Sequence, residues 1–370
     1  MTNIKDFEKN NRKLVLRKIA PADLNYLYDN MDSVGEIYSY IDQKEKTVFD
    51  YMKHHIDCNI FDVTADIRVY MDKFLDIDKC EFVDNNNFEV NIFNRGIYND
   101  LDDITENLED AEKQLSAIRT YLNNKMIANE NKGKVKDFIN VHETEKGGIS
   151  LTATKKRCET LKKILGKHQV ELSYLNTITN KETAFHFTHH NVEFVTQTSN
   201  SKSIETPLIK EACRNITRYR AQLKKELESV YQKFICEFQE KYGDSIHIIV
   251  KYCTILDMIQ SKSFVAHKFN YCKPEICKLE SDDEDNCQQS YMSIRGLRHP
   301  LIEHIQNKEI YVPNDIDIGC EEQNGILIYG TNAVGKSSLI RSIGISAILA
   351  QAGMFVPCSE FIYYPYKSIF

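Results

Sequence analysis

Ile326-Leu327-Ile328-Tyr329 runs directly into Gly330-Thr331-Asn332-Ala333-Val334-Gly335-Lys336-Ser337, and Leu339, Ile340, Ile343, Ile345, Ala347 and Ile348 follow before Gln351. Four consecutive apolar residues read as a buried strand, and the later spacing reads as a mostly buried helix over 336–351. Between them stand two glycines separated by four residues, then Lys and Ser, the pattern of a phosphate loop. Glycine lets backbone N–H groups turn inward onto phosphate oxygens, and the helix N-terminus adds its positive dipole. Lys336 would reach the β- and γ-phosphates, while the Ser337 hydroxyl would ligate magnesium. Lys336 and Asn332 are the candidate catalytic residues. Gly330, Thr331, Asn332, Ala333, Val334, Gly335, Lys336, Ser337 and Ser338 form the candidate cradle for ATP and Mg2+.

Upstream, the pattern is helical. Between Ile97 and Asn129, Leu101, Ile104, Leu108, Ala111, Leu115, Ile118 and Leu122 alternate spacings of three and four, a coiled-coil-like seam. A second long helix is predicted from Thr206 to Tyr242, with Thr206 as N-cap, Pro207 at its first position and Gly243 as its stop. Such helices suit struts better than a compact enzyme core. Val170 to Thr198 alternates through Phe185, Phe187, Val192 and Phe194, which predicts short strands. Gly147-Gly148 marks a turn ahead of alternating Ile149, Leu151 and Ala153. A small strand-containing domain inserted at the tip of a helical hairpin places helices on both sides.

The fold class that follows is multidomain α plus α/β. Helices occupy 1–135, the insert 136–204, returning helices 205–278, an acidic linker around Leu279 to Asn286 covers 279–290, and the nucleotide domain begins at 291–370. In the insert, Lys146, Lys155, Lys156, Arg157, Lys162, Lys163 and Lys167 outnumber Glu143, Glu145 and Glu159. Such a run reads equally well as a solvated helix face or as a surface for DNA phosphates. The 370-residue chain carries −7 overall, so any nucleic-acid contact needs a local basic face. With 42% hydrophobic and 27% charged residues, it holds no apolar run long enough to span a bilayer. Eleven cysteines without a compact framework, and no secretory signal at Met1 to Asn11, predict reduced thiols inside a cell, in nucleus, cytoplasm or organelle.

Residues beyond the loop narrow the reading. Ala350-Gln351-Ala352-Gly353-Met354-Phe355-Val356-Pro357-Cys358 is similar to the AQ-x-G-x-x-VPA run of the MutS family of DNA mismatch repair ATPases. Arg298-His299-Pro300 and Tyr311-Val312-Pro313-Asn314-Asp315 resemble its RHP and FVPND elements. Tyr271-Cys272-Lys273-Pro274-Glu275 resembles the YVRPE end of its lever, and Gly96-Ile97-Tyr98-Asn99-Asp100-Leu101-Asp102 the GYNEELD start of the long helix. Asn11 to Leu16 with Pro21 resembles the start of the lever, and His142 to Arg157 the clamp, most like viral or organellar branches.

This resemblance covers almost the whole chain. It implies an ATP-dependent DNA mismatch repair protein with lever helices, a clamp on double-stranded and mismatched DNA, and an ATPase working as a homodimer or heterodimer of MutS-type subunits. It also implies that Tyr311 stacks on adenine, and that Lys146, Lys155, Lys156, Arg157, Lys162 and Lys163 contact DNA. Thr331, Ala333, Val334 and Ser338 depart from the usual GPNMGGKST loop, whereas Asn332, Gly335, Lys336 and Ser337 are retained. Ser368-Ile369-Phe370 resembles the start of an IFTR segment. The resemblance therefore places the magnesium-side carboxylate and dimerisation helices beyond Phe370 and the mismatch-reading and connector domains before Met1. On that reading this chain by itself is inactive as an ATPase.

Other readings remain. A MutS-like protein of recombination or of viral or organellar genome maintenance, without mismatch reading, is one. A condensin-like structural ATPase is disfavoured, because it puts the loop near the N-terminus whereas Gly330 follows the helices. Phe238-Gln239-Glu240 spells the Phe-x-Glu of mismatch readers, but inside a helical stripe. Neither His186, His189 and His190 nor Cys272, Cys277 and Cys287 has the spacing of a standard zinc site, so both groups read as ordinary residues.

Overall fold

The computed structural model describes residues 4, 7–85, 88–130, 137–144, 148–166, 168–277, 290–305, 311–319, 323–332 and 334–370. Lys146, Lys167, Ala333 and the acidic stretch 279–289 lie outside the described residues. The chain forms two compact units, Met1–Val250 and Lys251–Phe370. Among the described residues, no helix is long and apolar enough to cross a membrane.

The first unit opens with α1 (Phe7–Val15), α2 (Pro21–Lys44), α3 (Lys46–His55), α4 (Ile60–Phe74) and the single turn α5 (Ile77–Cys80). Pro21 starts α2, where a missing N–H costs nothing, and the Asp23 carboxylate accepts from Ala20 N at 3.1 Å. Next comes α6 (Asn99–Glu130), whose seam is buried at Leu101, Leu108, Ala111, Leu115, Ile118 and Leu122 and continues to Met126. The insert follows as β1 (Asn140–Thr144), β2 (Gly148–Thr154), α7 (Lys155–Ile164), β3 (Gln169–Asn176), β4 (Lys181–Thr188), a 3-10 turn at His189–Asn191, β5 (Glu193–Thr196) and β6 (Ser201–Glu205). Four strands make an antiparallel sheet in the order β1-β2-β6-β5, and β3 pairs with β4 as a separate hairpin.

That hairpin departs from the expected placement at a tip, because it lies back along the early turns of α6. The Glu109 carboxylate accepts from Thr177 N at 3.0 Å and Ile178 N at 3.1 Å, and Asn176 Nδ2 donates to Asp110 Oδ1 at 2.9 Å. Burial alone would raise the Glu109 pKa, but the hydrogen bonds it accepts from the Thr177 hydroxyl and from the Thr177 and Ile178 N–H groups outweigh it and hold the pKa low. The β3–β4 turn has free N–H groups and α6 offers carboxylates, so docking the two satisfies both.

The long helix α8 (Pro207–Phe269) begins as predicted, with Thr206 Oγ1 accepting from Ile209 N at 3.1 Å. It does not stop at Gly243. A helical glycine costs about 1 kcal/mol, whereas burying Ile246, Ile249 and Tyr252 beyond it gains about 1.5–3 kcal/mol each, so the stripe carries the helix through. Phe238 is fully buried, with ring centroids 5.5 Å from Tyr242, 5.8 Å from Phe234 and 6.0 Å from Tyr70. In this structure Phe238 is a core anchor and offers no surface to a DNA base.

The second unit adds β7 (Glu275–Ile276), β8 (Tyr291–Leu297), the turn α9 (Ile302–Ile305), β9 (Asn314–Ile318), α10 (Lys336–Gln351) and β10 (Glu360–Tyr364). Its sheet runs β7-β10-β8-β9, antiparallel except for the parallel β7–β10 pair. Ile294, Leu297, Val356, Cys358 and Phe361 form its core with Ala347 and Ala350 of α10. A bulge in β8 sits at Gly296, where φ is +62° and an added Cβ would come within 2.8 Å of Ser359 Oγ.

Two expectations fail here. Residues 323–330 have no regular structure, and Leu327 and Tyr329 are 89% and 88% exposed, so the predicted buried strand is not formed. A strand needs a neighbour for its hydrogen bonds and a cover for its faces, and no described strand pairs with this run. Helix α10 has the predicted bounds, but it buries Ser342, Ser346, Ala347 and Ala350 while Ile340 and Ile348 are exposed. One stripe faces the sheet, and the other apolar positions lack a partner layer.

Candidate functional site

Gly335 caps α10 with φ at +98°, and an added Cβ there would meet nothing within 4 Å. The backbone conformation, not space, demands glycine at this turn. Lys336, the next residue, folds its side chain into the loop, and Nζ donates to the carbonyls of Gly330 at 2.8 Å and Thr331 at 2.5 Å. The ammonium is thus held by the backbone of its own loop. The loop opens on a cleft of about 550 Å³ whose lining includes Tyr311, Val334, Gly335, Lys336 and Ser338. Residues well separated in sequence are brought onto one wall-and-floor arrangement suited to an aromatic base and an anionic tail.

Thr331, Asn332 and Ser337 are exposed beside this cleft. Ser338 contributes to the cleft lining, whereas Ser337, the expected magnesium ligand, is not among the described lining residues, and neither is any Asp or Glu. Mg2+ keeps several waters and binds through phosphates with one or two protein ligands, which a single hydroxyl can satisfy in part. Sequence reasoning missed Ile302, Asn314 and Leu339 as cleft residues, and it assigned Ile328 and Tyr329 to a strand interior. Only the nearness of Asn314 to Tyr311 signalled any of them.

The flanking elements are fixed by polar contacts. Arg298 donates to Glu303 at 3.0 Å and to the Asn270 carbonyl at 2.7 Å, and His299 Nδ1 accepts from Leu301 N and Ile302 N at the start of α9. Asp315 Oδ1 accepts from Gly296 N at 2.8 Å, tying the Tyr311–Asp315 segment to the β8 bulge. These residues position the cleft wall without entering it.

In the insert, α7 separates two faces. Cys158 and Leu161 are buried, while Lys155, Lys156, Lys162 and Lys163 are exposed. At 3.6 residues per turn these lysines fall within roughly 120° of one another. Glu159 shares their face. Arg157 is placed differently: its guanidinium lies 4.8 Å over the Phe138 ring and donates to the Phe138 carbonyl at 3.3 Å. A second basic row, Lys210, Arg214 and Arg218 at four-residue spacing on α8, lines a groove of about 450 Å³ beside Gly148 and Ile149. The spacing was readable in the sequence, but the apolar stripe of the same helix masked it.

Comparison with known proteins gives one consistent result. The chain is 24% identical over 413 residues to a putative DNA mismatch repair protein, a mutS homologue, of Acanthamoeba polyphaga mimivirus, a match that covers 100% of this chain. It is 28% identical over 164 residues to the mitochondrial DNA mismatch repair protein mutS homologue of Sarcophyton glaucum, and 26% identical over 265 residues to the DNA mismatch repair protein Msh3 of Homo sapiens. The chain is similar to DNA mismatch repair proteins of the MutS and Msh type. Against these MutS-type proteins it spans 34%, 16% and 22% of their respective lengths, about a third or less. The Sarcophyton and human matches cover 44% and 66% of the MutS-like chain. No protein-family model matches it.

Proposed function

We propose that this chain supplies the lever helices, the clamp and the phosphate loop of a MutS-type DNA mismatch repair ATPase. In this reading residues 1–135 and 205–278 are the lever, 136–204 the clamp, 279–290 a linker and 291–370 the start of the ATPase domain. The observation that carries it is the placement of Lys336 Nζ within its own loop, in one cleft with Tyr311. ATP fits there with its phosphates against the backbone of 330–338 and its adenine on Tyr311. Lys336 and Asn332 would act at the phosphates, and Ser337 would hold Mg2+, which neutralises charge on the phosphate oxygens.

Double-stranded DNA, including mismatched DNA, would lie on Lys155, Lys156, Lys162 and Lys163 of α7 through its phosphates. Lys146 belongs to the same proposal, and Arg157 contributes by holding α7 to Phe138. The working unit is a homodimer or heterodimer of MutS-type subunits. A second reading, a MutS-like protein of viral or organellar genome maintenance without mismatch reading, draws on the viral and mitochondrial names of two relatives.

Binding of a fluorescent ATP analogue by the chain and by Lys336→Ala tests the nucleotide reading. Equal affinities would overturn it. Matched and mismatched duplexes, compared in the complete protein, separate the two readings of the DNA role.

A further inference from the structure

We propose that Cys272 and Cys358 are a redox modification site, oxidising to a disulfide that closes the nucleotide-binding segment into a covalent loop. The two Sγ atoms lie 3.5 Å apart, and both residues are free thiols. Their backbones are already in register: Cys272 and Val356 exchange both N–H···O bonds at 3.0 Å across an antiparallel bridge. Between Val356 and Cys358 the chain turns tightly, with Cys358 N donating to the Val356 carbonyl at 2.8 Å, and beyond this turn the Cys358 sulfur meets that of Cys272. A disulfide needs about 2.05 Å between sulfurs, so the two Sγ atoms, 3.5 Å apart, have roughly 1.5 Å to close.

The two thiols are not equivalent. Cys358 is almost fully buried, whereas Cys272 is half-buried and therefore the one an oxidant meets first. The hydrogen bond from the Cys358 thiol lowers the Cys272 pKa, with the Arg298 guanidinium acting in the same direction, and the Cys358 pKa is raised. The partly exposed sulfur is the better thiolate, and the buried one is the resolving thiol. Both positions also depart together from the motifs their segments resemble: cysteine stands where YVRPE has Val and where VPA has Ala.

The chemistry balances with hydrogen peroxide as oxidant. The Cys272 thiolate attacks one peroxide oxygen, the O–O bond breaks, and Cys272 sulfenic acid forms with release of water. The Cys358 sulfur then attacks the sulfenic sulfur, the S–S bond forms, and a second water leaves. Two thiols lose two hydrogens and two electrons, and one peroxide becomes two waters. The partners are 86 positions apart, and the segment between them contains every described residue lining the nucleotide cleft. Closing so long a loop removes much freedom from the unfolded chain and stabilises the fold. This inference does not depend on what the cleft binds.

The test is native peroxide treatment of the chain, blocking of remaining thiols, digestion without reduction and mass spectrometry. A peptide linking Cys272 to Cys358 is expected, together with a rise in melting temperature that dithiothreitol reverses. Cys272→Val and Cys358→Ala, the residues of the similar motifs, should fold and lose both the link and the rise. A dominant link from Cys272 to Cys277, or overoxidation of Cys272 with Cys358 left reduced, would overturn the proposal. So would a reversible rise retained by either variant. Should a variant fail to fold, the peptide map of the unaltered chain decides alone.

Discussion

The Tyr121 hydroxyl and His189 Nε2 lie 2.9 Å apart, with their rings stacked at 5.5 Å, and this pair pins the end of β4 to α6. His189 is buried, and its Nδ1 has no hydrogen-bond partner among the described residues. Burial pushes its pKa down, and Lys125 and His168 push the same way. The unfolded chain, where histidine titrates near about 6.5, therefore takes up the proton first. The stability contributed by neutral His189 is present above that pH and is lost as pH falls through it. Urea midpoints at pH 7.5 and 5.5 should drop for the unaltered chain and drop less for His189→Gln. Equal drops would remove His189 as the cause.

Gly243 sits inside α8, and its φ is not among the positive values of this chain. A Cβ there would meet only Gln239 side-chain atoms, at 3.7 and 3.9 Å, which is ordinary contact. Gly243→Ala should stabilise the chain by about 0.5–1 kcal/mol, read as a higher urea midpoint. A lower midpoint would mean that α8 is interrupted at this point.

Lys155, Lys156, Lys162 and Lys163 share one exposed face of α7. If they hold DNA phosphates, replacing all four by Gln should lower the slope of log K against log salt by about 0.9 for each phosphate no longer neutralised, equally on matched and mismatched duplexes. Arg157→Gln should instead destabilise the insert, because its guanidinium packs on Phe138. Unchanged affinity and slope in the fourfold variant of the complete protein would leave these lysines as a solvated surface.

Lys336→Ala should abolish ATP hydrolysis by the complete protein while leaving its far-ultraviolet circular dichroism unchanged. If the ammonium acts at the phosphates as proposed, removing it costs on the order of 3 kcal/mol of transition-state stabilisation, more than a hundredfold in turnover. Turnover near that of the unaltered protein would refute the role.

The sequence by itself determined the elements whose reasons are local. The seam from Leu101 to Leu122 and the Thr206-Pro207 start specify α6 and the beginning of α8 through side-chain spacing and backbone chemistry that act within a few residues. The turn at Gly335 and the start of α10 at Lys336 belong to the same class, since a left-handed glycine and the helix that follows it are set within a few residues.

Only the tertiary structure decided the rest. Gly243 looked like a stop until the burial of Ile246 and Ile249 outweighed it, and Ile326 to Tyr329 looked like a buried strand that had no neighbour to pair with. Arg157 read as one more member of a basic cluster, and only the fold brings its guanidinium over Phe138. The meeting of Cys272 with Cys358, and of Tyr311 with Lys336, had no signal in spacing at all. Burial and pairing are properties of partners distant in sequence, and periodicity along one segment carries no information about which partner arrives.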